Sequence, residues 1–292
     1  MITKLILETP SEFNFRTAVY SHGWSQLLPF EIDIENWRLS YVFTGEKTVS
    51  AVVYESGANI EIDVSDDKIS PAQAEKILRD VRHILRLDDD LSGFYRLTRK
   101  EKRLAWVARL HGGRLLRSGS VFEDLVKTLC TTNCSWALTK NMVRNLVEKL
   151  GARATDGKRA FPTPEAMAGE REEFYRDEIR AGYRSPYFAE LAEKVAGGKL
   201  NPEAWLDSDL PTKELKKEMK SVKGVGDYAA ENLLKLVGRY DGLALDSFLR
   251  GEFYKKHNGE QICTDREIEL FYERFGSWRG LAIWCDMTEK WH

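Results

Sequence analysis

From Trp37 to Phe43 apolar and mixed positions alternate, and the runs 48–54 and 60–64 repeat the pattern at hairpin-like distances, with Gly45 and Gly57 between them. A period of two bounded by glycine predicts antiparallel strands with one face on a core. Ser70-Pro71 then reads as a helix start, followed by Ala74, Ile77, Leu78, Val81, Ile84 and Leu85 at three- and four-residue steps. That stripe predicts one helix laid over a face of the sheet. Beyond Asp90 the alternation almost disappears, and helical periodicity predicts helices over 104–110, 121–129, 136–150, 186–196, 214–222, 228–237 and 266–275. Thr163-Pro164-Glu165 adds a further helix start, with a capping hydroxyl, a first-turn proline and an acidic residue at the positive dipole end. The pattern predicts an α+β fold: an antiparallel sheet with a helix in residues 1–90, then a mainly α-helical region over 91–292.

The stretch Ser221 to Leu234, SVKGVGDYAAENLL, places Gly224 and Gly226 between two of these helices. It predicts a helix-hairpin-helix over 212–238, with Ala229, Ala230, Leu233, Leu234 and Val237 facing inward. Glycines here allow backbone angles closed to other residues and remove side chains in front of the free amides of the second helix, an arrangement that fits a backbone phosphate. Carbonyls of the same turn are candidates for holding a monovalent cation. The plain alternative is a glycine-terminated helix followed by another. Asp246 lies 20 residues past Gly226, flanked by Leu245 and by Ser247-Phe248-Leu249 before another helical stretch. Such an aspartate serves either as an N-cap or as a catalytic carboxylate.

Composition narrows the partners. The 292 residues, 42% of them hydrophobic, suffice for a core and suggest about two domains. A net charge of −2 gives no overall basic signal, so a nucleic-acid reading rests on local clusters. Lys213, Lys216, Lys217, Lys220 and Lys223 crowd the first hairpin helix, and Lys140 and Arg144 stand one turn apart. Four scattered cysteines, Cys130, Cys134, Cys263 and Cys285, fit a reducing compartment, and neither they nor the five histidines form a metal-ligand set. Without an apolar run of signal or membrane-span length, a cytoplasmic monomer with no membrane partner is expected.

The hairpin and Asp246 together resemble the helix-hairpin-helix DNA glycosylase superfamily. The likeness runs along nearly the whole chain and points to the branch of 8-oxoguanine DNA glycosylase and bacterial 3-methyladenine DNA glycosylase II. It is carried by Gly113 to Arg117, Leu129-Cys130-Thr131-Thr132-Asn133, Phe161-Pro162-Thr163-Pro164, Gly182-Tyr183-Arg184 with Tyr187, and Trp278-Arg279 with Ala282. The resemblance implies two helical lobes, double-stranded DNA with damaged bases as partner, and Asp246 as the catalytic aspartate. It assigns the hairpin Gly224, Val225 and Gly226 to the DNA backbone, and local charge adds Lys223, Lys140 and Arg144 as candidate contacts. Asn133 falls where the oxoguanine enzymes fill the gap left by a flipped nucleotide, an asparagine turn being the alternative.

Relatives that also cleave the strand carry a Schiff-base lysine two residues after the second hairpin glycine, and here that residue is Tyr228. A phenol forms no imine, so a monofunctional glycosylase leaving an abasic site is expected. Tyr228, with Trp284 and Met287, is a candidate wall of the base pocket, where π-rich faces favour a cationic alkylated purine; a core aromatic is the alternative for Tyr228. Leu138, Phe248, Asn232 and Ala244 depart from the family patterns: they replace an opposing-base arginine, a histidine, a pocket aromatic and a proline. An oxidised-purine glycosylase and a non-catalytic protein binding distorted DNA stand as alternatives.

Overall fold

The computed structural model describes residues 2–66 and 68–292. Strands β1 (Thr3–Glu8), β2 (Glu31–Asp33), β3 (Arg38–Phe43), β4 (Val49–Ser56) and β5 (Asn59–Val64) form one antiparallel sheet in the order β1-β5-β4-β3-β2. The alternation is visible in β5, where Ile60, Ile62 and Val64 are fully buried, and the register pairs Ile62 with Val53 and Leu5. The two strands absent from the sequence reading are the sheet's edges. β2 has only three residues, and β1 carries three apolar residues in a row, Leu5-Ile6-Leu7, with Leu7 buried and Ile6 exposed, so neither reads as an apolar–polar alternation.

Helix α1 (Phe15–Val19) precedes β2, and α2 (Pro71–Leu85) follows the sheet. The Ser70 side chain accepts the Gln73 amide at 3.0 Å, Pro71 opens the first turn, and Ile77, Val81, Ile84 and Leu85 face the core. The helical region comprises α3 (Ser92–Thr98), α4 (Ala105–Arg109), α5 (Val121–Thr131), α6 (Trp136–Leu150), α7 (Pro164–Ala168), α8 (Glu172–Asp177) and α9 (Ser185–Ala196). It continues through α10 (Thr212–Lys220), α11 (Asp227–Leu236), α12 (Ser247–His257), α13 (Asp265–Tyr272) and α14 (Arg279–Thr288). Thr163 caps α7 as its sequence suggests, accepting the Ala166 amide at 3.2 Å.

Sheet and helices share one continuous set of buried side chains, from Leu7 to Met287. Polar contacts cross between them as well. Trp24 Nε1 donates to Asp124 Oδ1 at 2.7 Å, and Arg86 Nη2 donates to the Tyr240 hydroxyl at 2.6 Å. Burial pushes Asp124 up to about 6, and the bonds it accepts from Trp24 and Ser118 oppose that shift. We propose a domain boundary near residue 90, after α2.

Candidate functional site

Helices α10 and α11 form the hairpin. α10 ends at Lys220 with Ser221 as its C-cap, the Val225 amide closes a turn on the Val222 carbonyl at 3.0 Å, and α11 starts after Gly226. Gly224 has a φ of +90°, and a Cβ there would stand 2.5 Å from the Tyr187 ring. Glycine is required on both counts. Gly226 is extended (φ −87°, ψ −172°), no side chain caps the first turn of α11, and a Cβ on Gly226 would meet nothing within 4 Å. Open space thus lies in front of uncapped amides at the positive end of a helix, a geometry suited to an anion. Val225 is buried beneath the turn.

The lysine cluster of α10 is more neutral than its sequence suggests. Lys216 Nζ lies 2.6 Å from Glu231 and 3.0 Å from Asp227, Lys220 lies 3.0 Å from Asp227, and Lys217 lies 2.8 Å from Glu214. Lys223, beside the glycines, keeps a half-exposed side chain whose ammonium is 3.4 Å from Glu190 and 5.8 Å from the Tyr187 ring centre.

Next to the hairpin opens a cleft of about 1190 Å³, lined among others by Asn133, Gly224, Gly226, Tyr228, Asp246 and Trp284. Residues separated by more than 150 positions in the sequence meet there. Asp246 is the N-cap of α12, its Oδ1 accepting the Leu249 amide at 2.7 Å. Two residues earlier Ala244 adopts a φ of +52° and donates its amide to Glu231 Oε2 at 2.6 Å. Proline, locked near −65°, cannot take that angle or that bond, so the backbone leading to Asp246 differs from that of a proline-bearing relative. Tyr228 sits in the first turn of α11, and burial, then the Asp246 carboxylate, push its phenol up. Trp284 is held by Nε1–H donating to the Ser21 carbonyl at 2.9 Å.

Two stretches that the resemblance had singled out separately pack together at the cleft mouth. The Arg184 guanidinium donates to the Thr132 carbonyl and, through Nε, to the Leu129 carbonyl at 3.1 Å. This holds the loop after α5, in which Asn133 has a left-handed φ of +46° and places Nδ2 3.5 Å from the Tyr183 hydroxyl.

One expected pocket residue does not reach the cleft. Met287 is buried in the core of α14, while Trp284, one turn earlier, is that helix's cleft-lining residue. Lys140 and Arg144 lie on the exposed face of α6, because Thr139, Met142, Val143 and Leu146 take the inward positions. Among the described residues no cluster of His, Cys, Asp or Glu is placed to hold a metal, all four cysteines are free thiols, and no helix is long and apolar enough to cross a membrane.

Several cleft residues escaped the sequence reading: His22 and Trp24 from the N-terminal region, Trp136 at the start of α6, and Lys235 of α11. Lys235 is only 2% exposed and donates to the Leu243 carbonyl at 2.8 Å. A signal for it existed: Tyr228, Asn232 and Lys235 recur at four- and three-residue steps, a polar stripe along an otherwise apolar helix face.

No protein-family model matches the chain, and no curated protein does. Solved structures do match. A 3-methyladenine DNA glycosylase from Archaeoglobus fulgidus gives a TM-score of 0.75 at 20% identity, covering 99% of this chain and 98% of that one. The Clostridium acetobutylicum 8-oxoguanine glycosylase/lyase, in complex with double-stranded DNA containing cytosine opposite 8-oxoG, gives 0.74 at 21% identity over 99% and 97%. MBOgg1, in complex with a low-affinity DNA ligand, gives 0.76 at 20% identity over 99% and 98%. Over 99% of its length the chain has the fold of these structures, two of them DNA glycosylases by name.

Proposed function

We propose that this protein is a monofunctional DNA glycosylase that hydrolyses the N-glycosidic bond of a damaged purine, most favourably an alkylated one, flipped out of duplex DNA. The observation that carries this reading is the meeting of Asp246 and Tyr228 in an aromatic-walled cleft directly beside an uncapped glycine hairpin. The hairpin anchors a backbone phosphate on the first-turn amides of α11, with Lys223 adding charge. The damaged nucleotide then rotates into the cleft, where Tyr228 and Trp284 offer π-faces for stacking, and the Asn133 loop occupies the gap left in the duplex.

Breaking the C1′–N bond builds positive charge on the sugar, which a carboxylate at Asp246 stabilises while orienting the attacking water. Strand cleavage would need an amine on the sugar. Tyr228 supplies none, and the cleft lysine, Lys235, is buried with its amine on the Leu243 carbonyl.

The test is incubation with duplexes carrying single damaged bases, resolved on denaturing gels with and without alkali. The proposal expects base release with the strand intact until alkali is added, and no borohydride-trapped adduct. Strand breaks before alkali, or a trapped protein–DNA adduct, would refute the monofunctional assignment; no release from any lesion would refute the glycosylase reading.

A further inference from the structure

We infer that Lys235 determines which damaged base is removed: its buried ammonium favours a purine that is uncharged in the nucleoside and departs as an anion, over a purine bearing fixed positive charge. The inference rests on the glycosylase reading above and narrows its substrate class, from alkylated purines in general to adducts that stay neutral in the nucleoside, such as the etheno type.

Three features support it. Lys235 lines the same cleft as Asp246, Tyr228 and Trp284. Its Nζ lies 5.9 Å from the Trp284 ring centre, so a base stacked on that ring feels the field of a nearby cation. And among the described residues the ammonium forms no direct ion pair. Its one hydrogen bond among them is to the neutral Leu243 carbonyl, although an ammonium has three donors. The nearest acidic neighbour on α11, Glu231, is already engaged by Lys216 and by the Ala244 amide.

The chemistry explains why a charge here discriminates. The C1′–N bond breaks with both electrons leaving on the base; water adds to C1′ and passes a proton to Asp246; the departed base takes a proton from solvent. A neutral nucleoside purine carries a full negative charge as it leaves, which a nearby cation stabilises. A purine methylated at N7 or N3 is cationic before the step and neutral after it, so the same cation opposes its entry and gives nothing to its departure. A unit charge acting over roughly 7–9 Å at an effective dielectric near 20 corresponds to about a 20- to 50-fold effect.

The groups facing Lys235 set the pH range of the effect. Glu231 on its own helix, Asp246 at the head of α12 and Cys285 on α14 surround the amine, while Arg86 bonds the Lys235 carbonyl on the backbone side at 3.0 Å. Burial outweighs the two carboxylates and pushes the Lys235 amine down to about 8. The cation is therefore present at neutral pH and lost in mild alkali.

The experiment is single-turnover excision, expressed as enhancement over spontaneous release, from duplexes carrying hypoxanthine, 1,N6-ethenoadenine, 8-oxoguanine or 7-methylguanine, between pH 6.5 and 9.5. The inference expects at least one neutral base to be enhanced more than 7-methylguanine at pH 6.5, with a wild-type rate that falls as pH rises through about 8, a limb that Lys235→Met flattens. Lys235→Gln, which keeps an amide donor for the Leu243 carbonyl, and Lys235→Met should each lower the neutral-to-cationic ratio at least tenfold. Strongest enhancement of 7-methylguanine, a flat alkaline limb for the neutral bases, or an unchanged ratio in the folded variants would overturn the assignment of Lys235. No release from any of the four duplexes would instead overturn the glycosylase reading itself.

Discussion

The two hairpin glycines do different jobs, and alanine at each separates them. At Gly224 the φ of +90° costs an L-residue about 1–2 kcal/mol. The added methyl also stands 2.5 Å from the ring of Tyr187, which is half-buried and able to swing aside at some cost. Gly224→Ala should therefore destabilise the fold by about 1–3 kcal/mol. At Gly226 the backbone is extended and the methyl meets no atom. Reduced unfolded-state entropy gains about 0.4–1 kcal/mol, and the poorer N-cap loses a similar amount, so Gly226→Ala should leave stability within about 0.5 kcal/mol of wild type. Its methyl, however, stands where a phosphate must approach the α11 amides. Loss of a charge-assisted bond of about 1.5–3 kcal/mol weakens DNA binding roughly ten- to hundredfold. Urea denaturation gives the stabilities, and fluorescence anisotropy with an abasic-site duplex at fixed salt gives the affinities. Wild-type binding by a stably folded Gly226→Ala protein would refute phosphate docking at this turn.

Two further predictions concern chemistry and pH. Tyr228→Lys places an amine in the first turn of α11 within the cleft that holds Asp246, and should yield a borohydride-trappable adduct with lesion-bearing DNA that the wild type does not form; its absence would show that position 228 does not reach the sugar. Burial and the cations Arg117 and Arg86 push His83 down to about 4, and its Nε2 has no hydrogen-bond partner. A histidine depressed in the folded state contributes stability that is fully present above about pH 6.5 and is lost as pH falls through about 4. The stability lost between pH 7 and pH 4.5 should accordingly be smaller in His83→Leu by about 2 kcal/mol, measured by urea denaturation; an equal loss in both proteins would contradict the placement of His83.

What the sequence made legible follows from how locally each feature is specified. α2, α7 and α11 carry their own signals: a capping serine or threonine with proline in α2 and α7, and a glycine boundary with an apolar stripe in α11. β1 and β2 do not, because an edge strand need not bury a full face, and α14 follows a 3₁₀ stretch containing Gly276 at a φ of +54° that interrupts the helical period. The pairing of Asp246 with the hairpin was visible from spacing and family likeness. Asn133 and Trp284 were named from the family likeness, whereas His22, Trp24 and Trp136 were not, since they reach the cleft only through tertiary packing. The pairing of charge was only partly legible: four of the five hairpin lysines have a carboxylate within ion-pair distance, one of them beyond the hairpin on α9.

The central claim is that Asp246 performs chemistry and does not merely cap α12. Asparagine caps a helix about as well as aspartate, so Asp246→Asn should preserve the bond to the Leu249 amide, and with it the fold. The decisive measurement is single-turnover base release by Asp246→Asn, alongside its affinity for the same lesion-bearing duplex. Wild-type binding with release slowed at least ~100-fold is the predicted result. Release at the wild-type rate by a folded, DNA-binding Asp246→Asn protein would contradict it.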